Sequence, residues 1–118
     1  MTHALRAALV VAVLSTLAPA TAHAEDADPW LGKDKALHFT ASAGLAVGSY
    51  AIARPLLHER PPSIFLAGGM AFGFGIAKES WDLAGHGDPS WKDLTWDAIG
   101  TTSGLLVALV LDVLINRE

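Results

Sequence analysis

Three observations predict an all-α, up-down-up bundle of three membrane-embedded helices behind an N-terminal signal peptide. The chain has three apolar stretches of membrane-spanning length, each holds a Gly-x-x-x-Gly, and each carries a polar cluster at one end. The clusters are Asp34-Lys35-x-x-His38-Phe39, Lys78-Glu79-x-x-Asp82 and Asp93-x-x-x-Asp97. If the stretches are helices joined by short loops, alternating direction places all three clusters on one side. Trp30, Trp81, Trp91 and Trp96 fall there too.

Composition agrees. The 118 residues are enough for one domain. Apolar residues make up 52% and charged residues only 17%, a low charge content for a soluble domain. The net charge is -4 and there is no basic stripe, so a nucleic-acid partner is not expected. The absence of cysteine excludes disulfides, cysteine zinc sites and lipid attachment through cysteine.

Residues 1–24 read as a secretory signal. Arg6 supplies the positive start, the apolar run from Ala7 to Ala18 ends at Pro19, and Ala22-His23-Ala24 forms a small-residue cleavage site. That run is shorter than the roughly 20 residues a helical span needs. The expected mature chain starts at Glu25, with a polar lead-in over 25–33 and a three-helix domain over 34–116. The expected location is the inner membrane of a bacterial cell envelope, polar end toward the periplasm. The lysine and arginine count does not reinforce that orientation, since Lys33, Lys35, Lys78 and Lys92 lie at the polar end and Arg54, Arg60 and Arg117 at the other.

The first helix is expected from about Lys35 to Ala53, with Asp34 as N-cap and Arg54-Pro55 as its end, because the residue before proline is pushed out of the helical region. The second runs from about Ser63 to Ala84, with Gly85 in the left-handed C-terminal position. His86 is expected in a solvated loop. The third starts after Ser90, whose pairing with Asp93 makes an acidic relative of the capping box, and continues to about Ile115. The glycine pairs Gly44/Gly48, Gly69/Gly73 and Gly100/Gly104 predict close helix packing, within the bundle or against a partner membrane helix or second copy. A soluble helix would rarely hold so many, since each glycine costs about 1 kcal/mol relative to alanine.

Helical phase aligns the polar residues. Asp93, Asp97, Gly100 and Gly104 recur at spacings that share one face of the third helix. Gly68, Phe72, Gly75, Glu79 and Asp82 share one on the second, and Asp34, His38, Ala41, Leu45 and Gly48 one on the first. Inward acids near the membrane need partners, because an unpaired charge in low dielectric is costly. The candidate polar cluster is Asp34, Lys35, His38, Lys78, Glu79, Asp82, Asp93 and Asp97. It admits three readings. In the first it is structural, with Asp34 and Asp93 at helix starts, Lys78 paired to Asp82 four residues on, and His38 bonded to an acid across helices. In the second it binds an ion or the headgroup of a membrane lipid or glycan precursor. In the third it is catalytic, with His38 or Glu79 as general base. As a metal set, His38, Glu79, Asp82 and Asp97 would suit a hard or borderline divalent ion. Asp112, far from the cluster, is expected to pair with Arg117.

Three segments are also recognisable together: Asp34-Lys35-Ala36-Leu37-His38-Phe39, Gly75-Ile76-Ala77-Lys78-Glu79-Ser80-Trp81-Asp82, and Ser90-Trp91-Lys92-Asp93-Leu94-Thr95-Trp96-Asp97-Ala98-Ile99-Gly100. In this order they resemble the YfiM-like family of bacterial cell-envelope proteins, over about residues 30 to 105. The Asp-Lys-x-x-His-Phe opening and the late Ser-x-x-Asp-x-x-x-Asp-x-x-Gly run are more distantly similar to VanZ-like membrane proteins, linked to glycopeptide tolerance. The resemblance implies an envelope location and no particular reaction. The lipoprotein anchor of the YfiM-like family does not carry over to a chain without cysteine, and the arginine of the VanZ-like pattern is missing from residues 83–90.

Overall fold

A computed structural model describes residues 28–117; the expected signal segment lies outside them. The described residues form three helices and no strand: α1 (Lys33–Leu57), α2 (Arg60–Trp81) and α3 (Trp91–Ile115). A single π-type turn, Asp82–His86, extends α2. α1 and α3 are each long and apolar enough to cross a membrane. α2 has no charged side chain between Arg60 and Lys78. The start of α1 meets the starts of α3 and the end of α2, through Lys35, Asp93 and Lys78. The other three ends meet at Asp112.

Several helix ends differ from expectation. Gly32, not Asp34, is the N-cap of α1, and Asp34 lies in the first turn, where a carboxylate is favoured by the helix dipole. α1 also runs through Arg54-Pro55. Pro55 deprives the Ala51 carbonyl of a donor, but so near the end that the loss is confined to the last turn. Left-handed His58 (φ 61°) then closes the helix, its N–H donating to the Arg54 carbonyl at 3.0 Å. α2 starts earlier than expected because Pro61 and Pro62 occupy first-turn positions whose N–H groups would have no partner in any case. Its α geometry stops at Trp81, and Gly85 takes the expected positive φ, 104°, inside the π-type turn. α3 begins as expected: Ser90 Oγ accepts from the Asp93 N–H at 3.2 Å.

The interior is built from small residues. Ala43, Ala46, Ala53, Ala67, Ala71 and Ala108 are buried, and Phe39 and Tyr50 are the large apolar side chains with them. Gly100 and Gly104 set the distance between α1 and α3. A Cβ on Gly100 would lie 3.0 Å from the Phe39 Cα and still nearer its carbonyl oxygen, and one on Gly104 would meet the Ala43 backbone in the same way. The other expected packing glycines do not act inside the bundle. Gly44, Gly48, Gly69 and Gly73 are exposed, and a Cβ there would meet nothing within 4 Å.

Asp112 ties the three helices together at the far end. Its Oδ2 accepts from the Tyr50 hydroxyl at 2.7 Å, Arg54 Nε at 3.0 Å and Arg60 Nε at 2.9 Å, and its Oδ1 from Asn116 Nδ2 at 2.6 Å. These two arginines, not the expected Arg117, are its partners. A buried carboxylate is tolerable here because charged and neutral donors together satisfy it.

Candidate functional site

The opposite end carries the chemistry. Lys35 is 1% exposed, which for a charged side chain demands partners. It has three: Asp28 and Asp93 make close ion pairs with it, and Asp34 lies at 3.2 Å. Asp28 belongs to the lead-in, and sequence reading did not count it in the cluster. Its Oδ2 also accepts from the Ser90 hydroxyl at 2.6 Å, and its backbone carbonyl accepts from Lys92 at 2.6 Å. The Lys35 ammonium, and after it the Ser90 hydroxyl, hold the Asp28 carboxyl below the ordinary carboxylate range.

His38 stands between carboxylates. Its Nδ1 is 2.9 Å from Asp97 Oδ1, and its Nε2 is 3.2 Å from Asp93 Oδ2 and 3.8 Å from Asp34 Oδ1. An ionised carboxylate only accepts hydrogen bonds. The Nδ1–Asp97 contact is the hydrogen bond here, and the ring lies between two buried acids. Ser42 Oγ also donates to Asp97 Oδ1 at 2.9 Å, while no described donor reaches Asp97 Oδ2.

Lys78 pairs with Asp82 at 2.7 Å, the expected partner four residues on, and approaches Glu79 at 3.4 Å and Asp93 at 3.7 Å. Glu79 Oε2 accepts from the Ser90 N–H at 2.6 Å, which joins the end of α2 to the start of α3. Asp34, Lys35, His38, Lys78, Asp93 and Asp97 thus form one connected network, and Glu79 and Asp82 join it through Lys78.

The expected metal set is not the one drawn together. Among the described residues, the trio whose ligand atoms all lie within 4.8 Å of one another is Asp34, His38 and Asp93. Both Asp93 oxygens already face donors, Lys35 on Oδ1 and His38 and Lys78 on Oδ2. A divalent ion there would sit close to the Lys35 and Lys78 ammonium groups, whose positive charge opposes it.

The tryptophans gather at this level. Trp30 meets Trp91 edge-on with ring centroids 4.6 Å apart, Lys92 lies 5.5 Å over the Trp30 ring, and Trp96 Nε1 donates to the Trp30 carbonyl at 2.7 Å. His86 is exposed, as expected, and stacks on Trp81 with ring centroids 4.0 Å apart. A cleft of about 350 Å³ opens beside the network. Asp34, His38, Lys78 and Asp97 line its charged end, and Leu37, Ala41, Leu45, Ala71 and Phe74 line the rest. On α1 this is the face that phase analysis assigned to the interior. The buried face is one position away, along Lys35, Phe39, Ser42, Ala46, Tyr50 and Ala53.

No protein-family model, no curated protein and no solved structure matches this chain. The contacts themselves define a three-helix protein with a tightly paired His/acid/lysine network and an open cleft at one end.

Proposed function

We propose that the chain is a small integral protein of the bacterial cell envelope, of the YfiM-like kind, and that its charged end binds a polar headgroup at the membrane surface. In this reading the helices cross the inner membrane up, down and up, with the network toward the periplasm, as the signal-like start of the chain directs.

The observation that carries the proposal is the inverted packing. Alanine and glycine fill the interior while Phe65 (80% exposed), Leu56 (70%), Ile52, Phe74, Leu106 and Val110 point outward. A water-soluble bundle buries such side chains, since each is worth about 1.5–3 kcal/mol on removal from water, and monomers rarely expose so large an apolar surface. In lipid there is no such drive, and small residues let backbones approach. The charge-free bands support the same reading. They lie between His38 and Arg54, Arg60 and Lys78, and Asp97 and Asp112. Each is about 14–17 residues, or roughly 21–26 Å at 1.5 Å per residue, a little under the roughly 30 Å of a bilayer core. The four tryptophans at one level fit an interfacial belt.

Membranes from cells expressing the tagged chain, washed with alkaline carbonate, test this. The protein is expected to stay in the pellet until detergent is added. Release into the wash would contradict integral helices and turn the outer apolar faces into docking surfaces for a peripheral or soluble partner.

A further inference from the structure

We propose that the lead-in is a releasable strap. Residues 28–31 lift from the bundle end about Gly32 while the three helices stay packed, and their position decides whether the buried Lys35 ammonium meets solvent. The strap acts in this way whether or not a headgroup binds beside it.

The strap has neither helix nor strand, and side chains of α1 and α3 hold it down. Asp28 pairs with Lys35 of α1 and accepts from the Ser90 hydroxyl, at the start of α3, at 2.6 Å. Lys92 donates to the Asp28 carbonyl at 2.6 Å, and Trp96 Nε1 donates to the Trp30 carbonyl at 2.7 Å. The apolar grip is slight. Trp30 and Leu31 are each 43% exposed, and the Trp91 ring that Trp30 meets edge-on is itself exposed. A segment with so little buried apolar surface opens at lower cost than the helical core. Gly32 supplies the joint, at a φ of 155° that L side chains rarely adopt.

Lys35 lies behind this strap, almost fully buried. Its partners Asp28, Asp34 and Asp93 line a cavity of about 360 Å³ together with Lys78 and Asp82. Asp28 is the strap's part of that wall, so lifting the strap opens the cavity on the Lys35 side. The helices stay tied at this end without it. Lys35–Asp93 joins α1 to α3, while Lys78–Asp93 and the Ser90 N–H on Glu79 join α2 to the start of α3. On opening, Lys35 gains water and keeps two of its three carboxylates, so no charge is left buried and alone.

The test is reductive methylation of the purified full chain in detergent. Mass spectrometry follows Lys35, with the half-exposed Lys78 as internal reference. Trp30→Ala loosens the strap and leaves every Lys35 partner in place. It is expected to raise the Lys35/Lys78 rate ratio about tenfold, as loss of one aromatic contact implies, with little change in thermal midpoint. Should Trp30→Ala not fold, Lys92→Met, which removes the donor to the Asp28 carbonyl, should raise the ratio likewise. Gly104→Ala, which strains the α1–α3 packing away from the strap, should lower the midpoint and leave the ratio unchanged. A ratio that climbs with Gly104→Ala as it does with the strap variants would mean that Lys35 is reached by unfolding of the bundle, and would overturn the proposal. So would an unchanged ratio in the strap variants, or wild-type labelling of Lys35 as fast as Lys78.

Discussion

Replacing Lys35 with methionine is expected to destabilise the bundle by about 3–5 kcal/mol, the usual cost of removing one partner from a buried charge pair. Methionine matches the stem in length, so the loss isolates the ammonium group. Without it Asp93, which is 4% exposed, keeps only His38 and a distant Lys78, and Asp28 loses one of the contacts that hold the lead-in against α3. Unfolding in detergent checks this. The double variant Lys35→Met/Asp93→Asn should lose clearly less than the two single losses combined, because neither charge is then left alone. A single-variant loss within about 0.5 kcal/mol, the range of ordinary surface changes, would show that the pair is solvated.

Gly104→Ala should also be strongly destabilising, by about 1–3 kcal/mol as for other overpacked sites. The added methyl would collide with the Ala43 backbone, which cannot turn aside as a side chain can. Gly100→Ala should behave alike against Phe39. The same change at Gly44 or Gly69, which face open space, should be neutral or stabilising by about 0.5–1 kcal/mol, since glycine inside a helix is less favourable than alanine. Thermal midpoints of the four variants decide it, and a uniform response would contradict the α1–α3 packing seen here. Improved folding of Gly44→Ala together with loss of a co-purifying protein would assign that face to a partner.

How far the sequence could be read differs by helix, for physical reasons. α3 was legible because Asp93, Asp97, Gly100 and Gly104 mark one face, and Ser90 with Asp93 marks the start. The phase of α1 was not, because alanine and serine occupy its buried side while leucine and glycine occupy the exposed one. With no polar outer face, a polarity argument has nothing to fix the rotation. Asp34 and His38 were therefore placed on the packed face when they border the cleft. The Asp112 assembly was missed because its partners Tyr50, Arg54 and Arg60 lie 62, 58 and 52 residues away. The Tyr50/Arg54 spacing on one face of α1 was the available signal. Arg54-Pro55 misled in the other direction: a proline in the last turn ends little, and the Arg54–Asp112 pair favours keeping that turn helical. Asp28 went unread because it lies outside any helix, although the adjoining Pro29-Trp30 hinted at an ordered segment. The network's location at one end was plain from the three clusters, but which acid meets which base depended on helix rotation.

The central claim is that the apolar outer faces lie in lipid, and cysteine accessibility tests it most directly. The chain has no cysteine, so Asp88→Cys, Leu106→Cys and Glu59→Cys each create a lone thiol, in the loop at the network end, on the outer face of α3 and in the opposite turn. With a membrane-impermeant maleimide on spheroplasts, Asp88→Cys should label at once, Glu59→Cys only after lysis, and Leu106→Cys only after denaturing detergent. Labelling of Leu106→Cys in spheroplasts as readily as Asp88→Cys would contradict the account.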